Sequence, residues 1–116
     1  MFLEATGVER LVDPSDPTVE YVLVDVTLRA RGVASIGYLE PQNFTLIAAG
    51  ETQDRYPLSG LAGPEYCPES MSLPKDGTVA CRLAYPIPPG ISSAVIEFAF
   101  FPYQPTAGIA VPALSR

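Results

Sequence analysis

The sequence predicts an all-β domain, a two-sheet β-sandwich with Greek-key connections, and three observations carry that prediction. Residues 19 to 30, Val-Glu-Tyr-Val-Leu-Val-Asp-Val-Thr-Leu-Arg-Ala, form the longest run of mainly β-branched and aliphatic residues. Its alternation puts Val22, Val24, Val26, Leu28 and Ala30 on one face and Tyr21, Leu23, Asp25, Thr27 and Arg29 on the other, the period of a half-buried strand. Thirteen prolines and nine glycines among 116 residues interrupt any long helix, because proline removes a donor and clashes with the preceding turn. Turn signals recur roughly every 8 to 15 residues between about seven or eight alternating segments, the spacing of a sandwich. A small closed barrel is the competing architecture.

The elements follow in order. Residues 2 to 12 read as a first strand, with Gly7 as a bulge or irregular point. Asp13-Pro14-Ser15-Asp16-Pro17 turns the chain, since each residue before a proline is pushed out of helical geometry. The central strand ends at Arg31-Gly32. Residues 34 to 39 suit a short edge strand, broken by Pro41-Gln42-Asn43 before Phe44 to Ala49, where Phe44 and Leu46 oppose Thr45 and Ile47. Ala49-Gly50-Glu51-Thr52 reads as a hairpin turn into a strand over Gln53 to Leu58. Ser59 to Ser70 is the longest loop. Met71 to Leu73 starts another strand, which Pro74-Lys75-Asp76-Gly77 reverses. Thr78 to Ile87 sets Val79, Cys81, Leu83, Tyr85 and Ile87 on one face, and Ser92 to Phe101 turns Ala94, Ile96, Phe98 and Phe100 inward. Residues 102 to 116 form a tail with apolar patches and no clean period.

Composition narrows the function. Apolar residues at 47% and charged residues at 17% make the chain too hydrophobic for disorder, and no apolar run approaches the roughly 20 residues of a membrane helix. A net charge of −6 with seven Lys and Arg argues against nucleic acid, whose phosphates need clustered positive charge. There is no histidine, which removes Ser-His-Asp and Cys-His catalysis and the commonest zinc ligand. Met1 to Thr6 carries no basic segment followed by an apolar run, so no signal peptide is read there. Met1 is then either an added start on a mature chain or the native start of an unexported one.

One order of signals is recognisable: Tyr21 to Leu28 as Tyr-Val-Leu-Val-Asp-Val-Thr-Leu, then Pro41 to Ile47, then Leu73-Pro74-Lys75-Asp76-Gly77-Thr78-Val79, then Pro88-Pro89-Gly90 before Ala94 to Phe98. Over residues 3 to 101 this resembles a bacterial domain of unknown function, domain of unknown function 4352, whose members look like the immunoprotective extracellular protein. The resemblance implies an immunoglobulin-like sandwich and an exported or lipid-anchored setting. It carries over no catalytic residue, and this sequence has no lipid-attachment cysteine near its start.

Cys67 and Cys81 are the only cysteines. In an exported domain they pair, with roughly 3 kcal/mol of stabilisation in the chain-entropy model; otherwise they are two thiols, with Cys81 a small core residue. Asp13, Asp16, Glu51, Asp54, Glu65, Glu69 and Asp76 sit on turns without the spacing of a calcium loop, and turn formation explains them first. A two-carboxylate glycosidase needs a cleft that a sandwich of this size does not offer. Phe101 breaks the alternation of its strand and Tyr103 follows a proline, so with Tyr56 or Tyr66 their rings either dock a partner or cover the open end of the sandwich.

The expectation is therefore an immunoglobulin-like sandwich over residues 1–101 with a tail over 102–116. It is a non-enzymatic extracytoplasmic binding or interaction module without cofactor or metal, engaging a protein partner or itself, through Tyr66, Phe101 and Tyr103. The alternative is a structural subunit of a virion surface or filament, whose apolar tail around Ile109 to Leu114 packs on neighbouring copies.

Overall fold

A computed structural model describes residues 1–13, 16–32, 34–53, 65–68, 70–100 and 103–113. Nine strands are described: β1 (Phe2–Asp13), β2 (Asp16–Arg29), β3 (Ile36–Leu39), β4 (Phe44–Ala48), β5 (Glu51–Gln53), β6 (Met71–Leu73), β7 (Thr78–Ile87), β8 (Ser93–Phe98) and β9 (Thr106–Ala110). They form an antiparallel sheet in the order β1-β2-β7, an antiparallel sheet in the order β5-β4-β8-β9, and a small β3-β6 pair. The chain changes sheet between β2 and β4, between β5 and β7, and between β7 and β8, which is the Greek-key wiring of an immunoglobulin-like sandwich. Pro41–Asn43, expected as a strand breaker, forms one 3-10 turn between β3 and β4.

The core lies between the two larger sheets. Val22, Val24, Val26 and Leu28 of β2 and Leu83 and Tyr85 of β7 meet Phe44 and Leu46 of β4 and Ile96 and Phe98 of β8. Each such side chain, removed from water, contributes about 1.5–3 kcal/mol. Phe44 and Phe98 stand opposite each other across β4 and β8, ring centroids 4.9 Å apart and tilted by 51°, a geometry favoured by the ring quadrupoles.

Bulge and turns set the details. The register of β1 on β2 shifts between Ala5 and Gly7, so inward positions change from odd (Leu3, Ala5) to even (Val8, Arg10, Val12). Within that inward row Arg10 is buried, bonding Glu20 through Nε at 2.8 Å and the Ile91 carbonyl through Nη1 at 2.6 Å. A charge so placed is tolerable only because both partners are present. The β4–β5 turn consists of Ala49 and Gly50 alone, both at positive φ (53° and 77°), with Glu51 and Thr52 already in β5, the primed turn that matches strand twist. Pro74–Gly77 does turn, the Gly77 N–H donating to the Pro74 carbonyl at 2.9 Å. It leads from β6 into β7 without pairing the two, because β6 pairs with β3.

Three expectations need correction. The central strand is not half-buried: Tyr21, Leu23 and Thr27 are covered as well as the valine face. The last expected strand ends at Phe98, and Phe100 forms only an isolated bridge with Tyr103. The tail holds β9, hydrogen-bonded to β8, and Ile109 and Val111 are buried in the chain's own core instead of being left for neighbouring copies. The turn residues Pro14 and Ser15, the strand beyond Gln53, most of the 59–70 loop, and Asp54, Tyr56, Glu69, Phe101 and Leu114 lie outside the described residues. Among the described residues no helix is long and apolar enough to cross a membrane.

Candidate functional site

Each sheet has an outward face, and the two differ. On the β1-β2-β7 sheet, pairing aligns Leu11, Tyr21 and Pro86 in one row, Glu9, Leu23 and Ala84 in the next, and Gly7, Asp25 and Arg82 in a third. The chain flanks this sheet with a short segment whose Tyr66 side chain lies on the face. Glu65 to Cys67 runs parallel to β7, the Arg82 N–H donating to the Glu65 carbonyl at 2.7 Å and the Cys67 N–H to the Arg82 carbonyl at 2.9 Å. Cys67, in the main core, is joined to Cys81 by a disulfide, Cα atoms 4.9 Å apart, so the segment is pinned to the strand it flanks. Tyr66 packs against a second apolar cluster of Tyr21, Leu23 and Ala84, which Leu11 also joins.

Beside Tyr66 the polar groups are matched to one another. Arg82 Nε donates to Asp25 Oδ1 at 2.8 Å, and the guanidinium lies 6.0 Å from the Tyr66 ring centroid. The bond to Asp25 raises the Arg82 pKa above its ordinary value, so this guanidinium is a fixed cation and not a proton donor. A Cβ on Gly7 would meet Asp25 Oδ2 at 2.7 Å, so the bulge glycine gives the carboxylate its room. Burial first, then the nearby Asp13, raises the Tyr21 pKa. A shallow depression of about 280 Å³ lies there between Thr6, Asp25, Glu65 and Ala80, and no Lys or Arg among the described residues lines it.

The outward face of β5-β4-β8-β9 is bare among the described residues. One row aligns Thr52, Ile47, Val95 and Gly108, and the next aligns Thr45, Glu97 and Thr106. An open groove of about 580 Å³ lies on this face, lined by Ile47, Ser93, Val95, Gly108 and Ala110 among others. Val95 is 36% exposed, one of three large hydrophobic residues so placed among the described residues, with Phe2 and Tyr38.

The residues singled out in the sequence fall in different places. Tyr66 is half-buried over the first sheet, Tyr103 is half-buried against the core beside Phe100, and Phe101 is outside the described residues. Tyr66 and Tyr103 therefore do not form one aromatic patch. Of the turn acids, Asp16 accepts from the Thr18 N–H and hydroxyl, and Asp76 accepts from the Gly32 N–H; among the described residues no three His, Cys, Asp or Glu gather as a metal-holding group. Sequence reasoning missed the Ile47–Val95–Gly108 row, because Gly108 lies in the segment it left without a period.

No family model matches the chain, and no curated protein matches it in sequence. Among solved structures its fold is similar to ycdA, a candidate lipoprotein of Bacillus subtilis, with a TM-score of 0.70 and 13% identity over 93% of this chain and 35% of that one. It is also similar to the yjhA protein of Bacillus subtilis, with a TM-score of 0.60 and 17% identity over 83% of this chain and 72% of that one. The chain spans about a third of the length of ycdA. At these identities the likeness is one of fold.

Proposed function

We propose that this chain is a non-enzymatic binding module that works outside the cytoplasm, of the kind represented by domain of unknown function 4352. The Cys67–Cys81 bond carries the reading, because disulfides persist in oxidising compartments and are rare where thiols are kept reduced. Similarity of fold to ycdA, a candidate lipoprotein, supports that setting. The absence of histidine and the mutual pairing of Asp25 and Arg82 support a binding role over catalysis. The bare face of the four-stranded sheet supplies a surface for a protein partner.

The test is made on the protein in its own cells. Alkylation during lysis, without reductant, is expected to leave both cysteines unlabelled, and protease added to intact cells is expected to cleave the chain. Two alkylated thiols together with full protection from protease would remove the extracytoplasmic reading.

A further inference from the structure

Nothing among the described residues requires glycine at position 108. Its φ is not positive, and a Cβ built on it meets no atom within 4 Å. A glycine inside a strand weakens it and often marks a place where another backbone or a ligand approaches closely. Gly37 also meets nothing, but it sits at the irregular point of the short β3. Gly108 sits in regular pairing opposite Val95 and lines the groove.

Charge narrows what fits there. Strands β4, β5, β8 and β9 contain no Lys or Arg and hold Glu51 and Glu97. On the outward face Glu97 lies two residues along β8 from Val95, about 7 Å at the strand rise. A second copy brings the same net charge of −6, and a phosphate or anionic lipid surface is repelled in the same way.

Resting on the binding-module reading, we infer that the Ile47–Val95–Gly108 groove receives an extended segment of a partner protein. That segment seats a bulky apolar side chain over Gly108 and places a Lys or Arg, two residues on, against Glu97. The side chain takes the space that a Cβ at 108 would fill, and the cation matches Glu97, the one charged residue in the described outward rows.

The probe is a short capped Ser/Thr peptide carrying one Phe and, two residues later, one Arg, titrated into the labelled full chain. Amide shifts are expected at Ile47, Val95 and Gly108, with binding weakened when Glu replaces the Arg or Ala replaces the Phe. Gly108→Val is expected to raise Tm, since the strand gains a β-branched residue into open space, and to weaken peptide binding about tenfold or more. Glu97→Gln should weaken it less and flatten its salt dependence. A lower Tm for Gly108→Val, undiminished binding by it, or no shifts at all overturns the inference. Shifts around Tyr66 instead overturn this site while leaving the binding-module reading standing, and the thiol and protease tests bear on that reading alone.

Discussion

Leu23 on β2 and Val95 on β8 both point away from the core, yet Leu23 is 5% exposed and Val95 is 36% exposed. The difference does not come from strand geometry, since both strands have the same pleat. It comes from what lies above them. Along the free edge of the first sheet the chain returns with Glu65 to Cys67, bonded to β7 by backbone hydrogen bonds and by a disulfide, and the Tyr66 side chain turns an outward row into a second core. On the second sheet no described segment covers Ile47 and Val95, and the outward residues around them, Thr45, Ser93, Glu97, Thr106, Gly108 and Ala110, are small or polar. An outward-facing apolar residue is thus a stability element on one sheet and an available contact on the other.

The largest test of that contrast removes the covalent pin. Cys67→Ala with Cys81→Ala opens a loop with a sequence separation of 14 and should cost about 3 kcal/mol in urea unfolding. It should also increase binding of an apolar dye as the Tyr21–Leu23 cluster loosens; a loss below about 1 kcal/mol would mean the cover holds without the bond. Next, Leu23→Ala should cost about 2–3 kcal/mol as a buried truncation, against about 0.5 kcal/mol or less for Val95→Ala on the bare face. Equal losses at the two positions would erase the distinction. Tyr21, whose pKa is raised chiefly by burial, sharpens it through pH. The unfolded phenol ionises first, so the contribution is intact below pH 10 and is lost as pH rises above it. Urea midpoints at pH 9 and pH 11 should therefore fall less in Tyr21→Phe than in the unchanged chain, and parallel falls would contradict the assignment. The smallest effect belongs to Asp25→Asn: the ion pair with Arg82 is one-third exposed, so it should cost under about 1 kcal/mol and vanish in molar salt.

Much of the architecture is legible in the sequence, and the gaps have physical causes. β7 runs from Thr78 to Ile87 as its alternation indicates, and Gly7 marks the register shift of β1. Two-sided burial of β2 was signalled by the unbroken apolar run from Tyr21 to Val24, since a strand covered on both faces loses its polar half. Alternation alone reads that run as one buried face. β9 escapes because Ala107, Gly108 and Ala110 give little contrast, although Ala107, Ile109 and Val111 do alternate. The groove is harder still: its row is assembled from Ile47, Val95 and Gly108 on three strands, and only strand pairing brings them together.

Pro86 bears on what happens when two molecules collide. Its missing N–H points the same way as the Arg82 N–H, off the edge of the sheet away from β2. The middle of that edge is already taken by Glu65 to Cys67, and its far end lacks a donor. Another copy's strand therefore finds no continuous ladder to extend along β7, so dense crowding of these domains does not turn into fibre growth by that route.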